Sequence, residues 1–584
     1  MSGAAGCVNA VAVGAFILFD DARHGHARLY ARPVEIVRAD RLDEVGPALE
    51  RLRAGLGAGR HAAGYLAYEA GDAFEPTLAA GHRQGAGPLA WFGLFDGYER
   101  VEPERWLPAA GSGHAGRPRP RWTEEEYAAA AGRVREHLFA GDFYQANLTF
   151  GCDVALFGSP LSLYAGLRSA AHAAWGGILA REDGDLLLSL SPEQFFTIRG
   201  RTIEARPMKG TAPLSQPPEA LSGDPKQRAE NLMIVDLLRN DLARVAVAGS
   251  VAVPELFAVE TYPTLRQMVS RVTATLRDGV DAVEVLRTIF PCGSVTGAPK
   301  VAAIRALREL EPSPRGAYTG SMGWIEPGGD ASFNVLIRTL ERRNGQKLAT
   351  LGLGSGLVVD SQASDEWAEC LAKGAFVTRP NPPVDLIETM RFDPQIGIVE
   401  LDRHLDRLSK AAEALDFRFD RHAVRNELQA ATFGRKVVSL ARLLLSPTGQ
   451  MAVEVRTLPE PERDPVAVAV KPLPIPTDDW RLQYKTTARD FYEEARASDA
   501  FETIFTDPEG RVTEGSFTSV FVEKEGRLLT PPLARGVLPG VLRASLVDSG
   551  RATEADLRPE DLRDGFFVGN IVRGLVPARL APPA

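Results

Sequence analysis

Apolar positions recur along the chain with two periods, and the change from one to the other outlines the elements. The stretch "CVNAVAVGAFILFDD" is a near-continuous apolar run closed by two aspartates, and it predicts a buried strand. No basic residue precedes the run, so it reads as a strand and not as a signal peptide. "HAAGYLAYEAGDAFEP" and "LAWFGLFDGYE" extend a β-rich beginning. "PAAGSGHAGRPRP", residues 108–120, is rich in Gly and Pro and predicts a flexible loop. From Thr123 the period becomes helical, and "TEEE" offers a cap and an acidic first turn. "DPKQRAENLMIVDLLRNDLARV" sets Leu232, Val235, Leu238 and Leu242 at helical spacing, and "SDEWAECLAKGAF" is helical as well. "CGSVTGAPKVAAIRALREL" is a Gly-rich turn entering an amphipathic helix, and "LGLGSGLVVDS" reads as a strand with a tight turn.

The clearest break is "TRPNPPVD", residues 378–385, where three prolines stop a helix and favour an extended connection. A strand, "VDLIETMRF", follows it. This divides the chain into residues 1–377, a linker 378–385 and residues 386–584. A length of 584 residues is too great for one hydrophobic core. The second part alternates strands with helices, of which "ELDRHLDRLSKAAEALDF" is amphipathic, and taken alone it reads as an α/β domain.

Composition narrows the function classes. Apolar content of 45% and charged content of 24% are ordinary for a globular protein. A net charge of −9, from 67 basic and 76 acidic residues, argues against nucleic acid or an anionic membrane as the main partner. No run of about 18 apolar residues occurs, so no segment is expected to span a membrane. Cys7, Cys152, Cys292 and Cys370 are scattered and form no CxxC pair, which points to a reducing cytoplasm.

Candidate chemistry begins with "RPMKGTAP", where Pro207 and Gly210 bracket a tight turn holding Lys209. That lysine is either a solvated charge or a nucleophile aimed into a pocket. Glu230 opens one helix. Glu366 and Glu369 share a face of another, with Lys373 a turn later. Carboxylates from separate helices can converge on Mg²⁺, and equally each can sit on a solvated face. The turn before "PKVAAI" could present backbone N–H groups to a carboxylate.

In order and wording, "GDFYQANLT", "SPEQFF", "RPMKGTAP", "AENLMIVDLLRNDL", "GSVTGAPK", "GAYTGSMGWI", "FNVLIRTL" and "GSGLVVDS" resemble the chorismate-utilising family. That family comprises anthranilate synthase large subunits, aminodeoxychorismate synthase component I, and isochorismate and salicylate synthases. The resemblance covers residues 1–377 and implies a two-sheet α/β sandwich around one deep site. Anthranilate synthases resemble "PIAGT" at the lysine turn, whereas aminodeoxychorismate synthases carry lysine, as here. The resemblance therefore implies that Lys209 attacks the chorismate ring, with Glu193 as general acid. It implies Glu230 and Glu369 as Mg²⁺ ligands, supported by Glu366. Thr296, Gly297, Tyr318, Arg338, Lys373 and the turn Gly354, Ser355, Gly356 would hold the substrate carboxylates. One departure is "YPTLRQMVS", which has Arg266 and Gln267 where relatives often carry histidine. No cysteine sits on a GxCxG-like glutaminase elbow, so a separate glutamine amidotransferase subunit is implied as the ammonia source.

In the second part "RHLDRL", "YKTTAR", "VTEGS", "LPGVLR" and "FFVGNIVRG" resemble the fold-type IV pyridoxal-phosphate (PLP) enzymes, a two-subdomain fold. These include branched-chain and D-amino-acid aminotransferases and aminodeoxychorismate lyase. The resemblance implies Lys485 as the cofactor lysine, Arg407 as the phosphate grip and Glu514 as the pyridine partner. Gly540 and Asn570 fall on phosphate and substrate turns, and Arg391 of "ETMR" on the substrate side. A homodimer through this part is in keeping with the resemblance. Ser519 departs from the usual asparagine. The strand and helix that relatives place before "ETMR" are missing, which leaves an edge for the first part of the chain to cover.

Together the two resemblances imply a bifunctional enzyme of folate-precursor synthesis. Chorismate would be aminated to 4-amino-4-deoxychorismate, and pyruvate then released to give p-aminobenzoate. The alternatives are an anthranilate or isochorismate synthase fused to a PLP aminotransferase, and a non-catalytic chorismate-binding scaffold.

Overall fold

The strand that opens the described chain, Phe16–Asp21, is apolar on both faces and almost wholly buried, because it runs between two neighbours inside a sheet. The computed structural model describes residues 14–261, 266–379, 384–458, 460, 462 and 465–581. Cys7 and the three linker prolines lie outside these residues. The chain forms two compact units. The first holds residues up to 108 together with 117–154 and 164–380, and the second holds the remainder, including 109–116 and 155–163.

Among the described residues, the first unit is built on two large sheets, the smaller of ten strands. Between them Ile17, Leu179 and Leu187 of the larger sheet meet Tyr65, Trp91, Phe95 and Trp324 of the smaller. The other face of the smaller sheet is covered by helices Leu42–Gly57, Pro225–Ala243 and Ala282–Ile289. The predicted helix after Thr123 is Glu124–Ala140. The Thr123 hydroxyl accepts from Glu126 N–H, and the Glu126 carboxylate accepts from Thr123 N–H, closing a capping box. Gly141 ends it at φ +80°.

The second unit has a four-stranded antiparallel sheet backed by helices Leu401–Leu415 and Arg421–Thr432, and an eight-stranded mixed sheet. Residues 108–120 depart from the flexible loop expected. Gly113–Ala115 is a buried strand paired with residues 156–158. A Cβ on Gly113 would stand 2.4 Å from Leu163 N, so the glycine permits close packing and does not signal mobility. His114 stacks at 4.7 Å on Trp480, whose indole N–H donates to Gly111 O. Phe157 meets Tyr484 edge-on.

Candidate active sites

Lys209 lies on Met208–Ala212, a strand at the edge of the ten-stranded sheet, and not in a tight turn. The pairing register slips between Met208↔Val269 and Thr211↔Gln267, a bulge for which Gly210 adopts φ +94°. Two amide side chains clamp it. Asn231 Nδ2 donates to Lys209 O at 3.3 Å, and Gln267 Nε2 donates to Gly210 O at 2.9 Å. Gln267 Oε1 in turn accepts from the Thr211 hydroxyl. Gln267, one of the departures noted above, thus holds the lysine strand, while Arg266 holds Leu214 O and Gln216 O. Asn231 is fully buried, and its Oδ1 accepts from Ser270 at 2.6 Å. Turning Asn231 inward rotates Leu232 off the apolar face, and that leucine is 44% exposed where burial was expected.

The Lys209 amine reaches the larger sheet. A Cβ placed on Gly356 would stand 3.2 Å from Lys209 Nζ and 2.7 Å from Gln145 Nε2. Residues 354–356 form no turn, since they belong to the ten-residue strand Leu348–Leu357. Side chains alternate along a strand. Gly356 therefore faces the lysine, and Ser355 points away, its hydroxyl 2.9 Å from the Tyr127 hydroxyl. Lys373 donates to Gly354 O at 3.0 Å and pairs with Glu369 at 2.7 Å.

Electrostatics bind the group together. Burial, and then the Lys373 charge, push the Lys209 ammonium below its ordinary pKa, against the pull of Glu230, Glu193 and Glu369. Glu193 is buried and accepts from the Ser294 hydroxyl at 2.7 Å. Burial raises its carboxyl, with the Ser294 hydrogen bond and both lysines opposing. Burial likewise raises Glu230, and the neighbouring Glu369 and Glu366 add to the rise. For Glu369, burial is the largest single influence and works upward, but Lys373, Lys209 and Lys226 together outweigh it, so its pKa is lowered.

A group of three side chains poised as metal ligands is absent among the described residues, and Glu369 is engaged by Lys373 instead. The donor set nevertheless fits a hard cation. Glu230 is half-buried with no hydrogen bond or ion pair among the described residues, two further carboxylates raise its pKa, and all the donors are oxygens.

Other expected ligands are placed differently. The Thr296 hydroxyl is buried and donates to its own turn at Gly293 O. Gly297 pairs with Ala146, and a Cβ there would stand 2.3 Å from Gln145 O. The Tyr318 ring lies against Gly352, where a Cβ would come within 2.1 Å. Arg338 sits at φ +50° and its carbonyl accepts from Leu190 N–H. The backbone leading to it passes Glu193, whose carbonyl accepts from Val335 N–H at 3.1 Å.

The second unit holds a cavity of about 500 Å³ lined by Lys485, Arg407, Glu514, Gly540, Asn570 and Ser519, among others. Lys485 Nζ donates to Thr389 Oγ1 at 3.3 Å, and its carbonyl accepts from Ile387 N–H. Burial and then the Arg407 charge lower the Lys485 ammonium to about 7. Arg407 donates through Nε and Nη2 to Glu388, at 2.9 and 2.6 Å, and through Nη1 to Pro539 O. Of its five N–H groups this leaves two for another acceptor. Glu388, which also shares a 2.5 Å hydrogen bond with His404, is fully buried. Burial opposes ionisation, yet Arg407 and His404 pull its carboxyl down to about 2.

Glu514 accepts from the Tyr492 hydroxyl at 2.5 Å and from Leu538 N–H at 2.9 Å, and burial raises it to about 7. A Cβ on Gly540 would stand 2.9 Å from Ser519 Oγ, so the glycine leaves a cradle there. Asn570 Oδ1 accepts from Val572 and Arg573 N–H, fixing that turn. Arg391 does not line the cavity, although its cross-strand neighbour Leu440 does. The residues fit PLP: spare guanidinium donors and a side-chain-free cradle suit a phosphate, and a buried carboxyl suits a ring nitrogen.

Gln145, Asn231, Gln267, Glu388 and Arg489 were not singled out as site residues from sequence. For Glu388 the signal was available, a lone acid between the apolar Ile387 and Met390 of the strand "LIETMRF".

Each unit thus holds a lysine whose surroundings lower its pKa below the ordinary value. The chain belongs to the chorismate-binding enzyme family, which it matches over residues 14–379. Residues 385–581 match the class IV amino-transferase family, so the two are fused in one chain. Aminodeoxychorismate synthase component 1 of Escherichia coli K12 is 43% identical over 258 residues, 43% of this chain and 56% of that protein. The Salmonella typhimurium LT2 protein of the same name is 36% identical over 348 residues, 55% of this chain and 76% of that protein. The chain thus spans little more than half the length of the first of these relatives. The anthranilate synthase component I structure from Streptococcus pneumoniae TIGR4 superposes with a TM-score of 0.53 at 22% identity, over 62% of this chain and 92% of that one, which shows a shared fold. No helix among the described residues is long and apolar enough to cross a membrane.

Proposed function

We propose that the chain makes p-aminobenzoate in two steps, with residues 1–377 aminating chorismate and residues 386–584, after the 378–385 linker, releasing pyruvate from 4-amino-4-deoxychorismate. The observation that carries this reading is the Lys209 amine, held below its ordinary pKa and facing Gly356 across the two sheets, near an acid with a raised pKa.

A lysine attacks only as the neutral amine, which the environment of Lys209 favours. Glu193, whose carboxyl burial raises above its ordinary pKa, donates its proton to the departing 4-hydroxyl, which leaves as water. The resulting carbon–nitrogen bond to Lys209 breaks when ammonia attacks the ring, giving 4-amino-4-deoxychorismate and the free lysine. Glu230 and Glu369, with Glu366 alongside, would hold Mg²⁺, which supplies positive charge for the ring carboxylate. Lys373 and the backbone of Gly354 and Gly356 orient the carboxylates. Ammonia would come from a separate glutamine amidotransferase subunit, as the component 1 naming of the relatives supports.

In the second unit Arg407 and the Gly540 cradle would hold the phosphate of PLP, which supplies an electron sink for the substrate's C4 carbanion. Glu514, a cavity carboxyl, would pair with the ring nitrogen. Lys485 would anchor the cofactor and, as a neutral amine, would take the C4 proton of the substrate. The enolpyruvyl C–O bond then breaks, the ring becomes aromatic, and the released enol takes a proton to become pyruvate. Buried, unpaired thiols at Cys152, Cys292 and Cys370 support a cytoplasmic location.

The test is product identification from chorismate, ammonium, Mg²⁺ and PLP. p-Aminobenzoate and pyruvate in equal amounts are expected, with glutamine a poor nitrogen donor for the chain alone. Anthranilate or isochorismate as product would overturn the reading.

A further inference from the structure

Arg315 of the first unit is buried with every guanidinium N–H engaged. Its Nε and Nη2 fork onto Glu311, at 2.9 and 2.7 Å. Nη1 donates to Val295 O at 2.8 Å and reaches the Thr319 hydroxyl at 3.4 Å, and Nη2 donates to Asn147 O at 2.7 Å. Five donors are the full set of a guanidinium. The backbone beneath is fixed as well, since the N–H groups of Arg315 and Gly316 donate to the two oxygens of buried Glu69, at 2.6 and 3.0 Å. The guanidinium lies 4.3 Å over the Tyr68 ring.

The two carbonyls that Arg315 holds belong to the two walls of the Lys209 site. Val295 ends the short turn Gly293–Val295, and the Ser294 hydroxyl on that turn donates to Glu193 at 2.7 Å. Asn147 lies on the strand Gln145–Gly158, where Gln145 Nε2 shares with Lys209 Nζ the space in front of Gly356. Glu311 ties down the same strand, accepting from the Thr149 N–H and hydroxyl at 3.0 and 2.9 Å. Asn147 N–H donates to Thr296 O at 2.8 Å and so joins the strand to the turn. A buried carbonyl deprived of a charged donor costs free energy until it moves to another.

We propose that Arg315, locked by Glu311, is a positioning residue for amination, which holds the Ser294 turn against Glu193 and keeps that wall in register with the strand facing Lys209. The inference rests on the amination reading and adds what keeps its acid in place.

The test follows chorismate consumption by the full-length chain against pH, with Mg²⁺ and a fixed concentration of free ammonia. Glu193 feels Ser294, Lys209 and Lys373, and Cys292 is close by. Ser294→Ala removes a hydrogen bond that favours the carboxylate, so the limb of the kcat/KM profile set by Glu193 should move up by about one pH unit. Arg315→Lys keeps the charge but loses the fork. It should lower kcat/KM about 10- to 100-fold and move the same limb in the same direction. The double variant should move it no further. A chain that is merely destabilised loses rate at every pH and leaves the limb in place. Where Arg315→Lys does not fold, Glu311→Gln, which keeps an acceptor for Thr149, decides by the same readout. A limb moved by Ser294→Ala and not by the deciding variant, or moved by neither, would overturn the proposal. Product identity is scored separately. A shifted limb with anthranilate or isochorismate as product sinks only the amination reading, and amination with an unmoved limb sinks only this inference.

Discussion

Gly356→Ala puts one methyl group at the point where the two sheets of the first unit come together. The added Cβ would stand 2.7 Å from Gln145 Nε2 and 3.2 Å from Lys209 Nζ. Ordinary contact begins near ~3.5 Å, so the glutamine must retreat by roughly 0.8 Å and the lysine by a few tenths. Both obstructing atoms end flexible side chains, and Gly356 has no left-handed φ, so the backbone should accept alanine with a stability change within about 1 kcal/mol. A displacement approaching 1 Å at a reacting centre can cost on the order of 100-fold in rate. Ammonium-dependent amination of chorismate should therefore fall by about that factor while the melting temperature stays near the parent value. Gly354→Ala is the contrast. Its Cβ would stand 2.7 Å from the Leu148 carbonyl oxygen, which cannot swing aside, so the fold itself should weaken. Parent-rate amination in a stably folded Gly356→Ala chain would remove Lys209 from the reacting centre.

Lys485 should titrate near 7 in the cofactor-free chain, since burial and Arg407 lower it to about that value. Its labelling by fluorodinitrobenzene, read by peptide mass spectrometry, should rise through that pH and then level, and Arg407→Gln should move the midpoint upward; a midpoint above about 9, closer to the ordinary lysine value, would contradict the burial argument. Glu230→Gln and Glu369→Gln should each raise the Mg²⁺ concentration needed for amination and leave pyruvate release from supplied aminodeoxychorismate intact. A parent-like Mg²⁺ requirement in both would take these carboxylates out of the metal site.

Residues with strong local chemistry were legible in the sequence, and contacts made across the fold were not. The helix from Thr123 follows from its capping box, and the strand around "ETMR" from its apolar alternation. The lysine segment reads as a turn because Pro207 and Gly210 punctuate it, yet a bulged edge strand needs the same positive-φ glycine. Glycines 354 and 356 suggest a turn for a similar reason. Their smallness serves Thr149 and Lys209 packing against a strand, partners more than 100 residues away in sequence. Leu232 has the right period for a buried face, but the inward residue is Asn231, whose amide is needed by Lys209 O. Ser355 and Thr296 belong to the glycine-rich motifs, but their hydroxyls are taken up by Tyr127 and by the local turn. Arg489 looks like any surface arginine until Tyr492 and Ser516 close around it.

The most direct test of two lysines acting in sequence uses two full-length variants with chorismate, ammonium, Mg²⁺ and PLP. Lys485→Ala should still aminate chorismate and accumulate aminodeoxychorismate, with no p-aminobenzoate and no pyruvate. Lys209→Ala should make nothing from chorismate and convert added aminodeoxychorismate to p-aminobenzoate at the parent rate. p-Aminobenzoate and pyruvate formed at the parent rate by Lys485→Ala, or full amination by Lys209→Ala, would contradict the account.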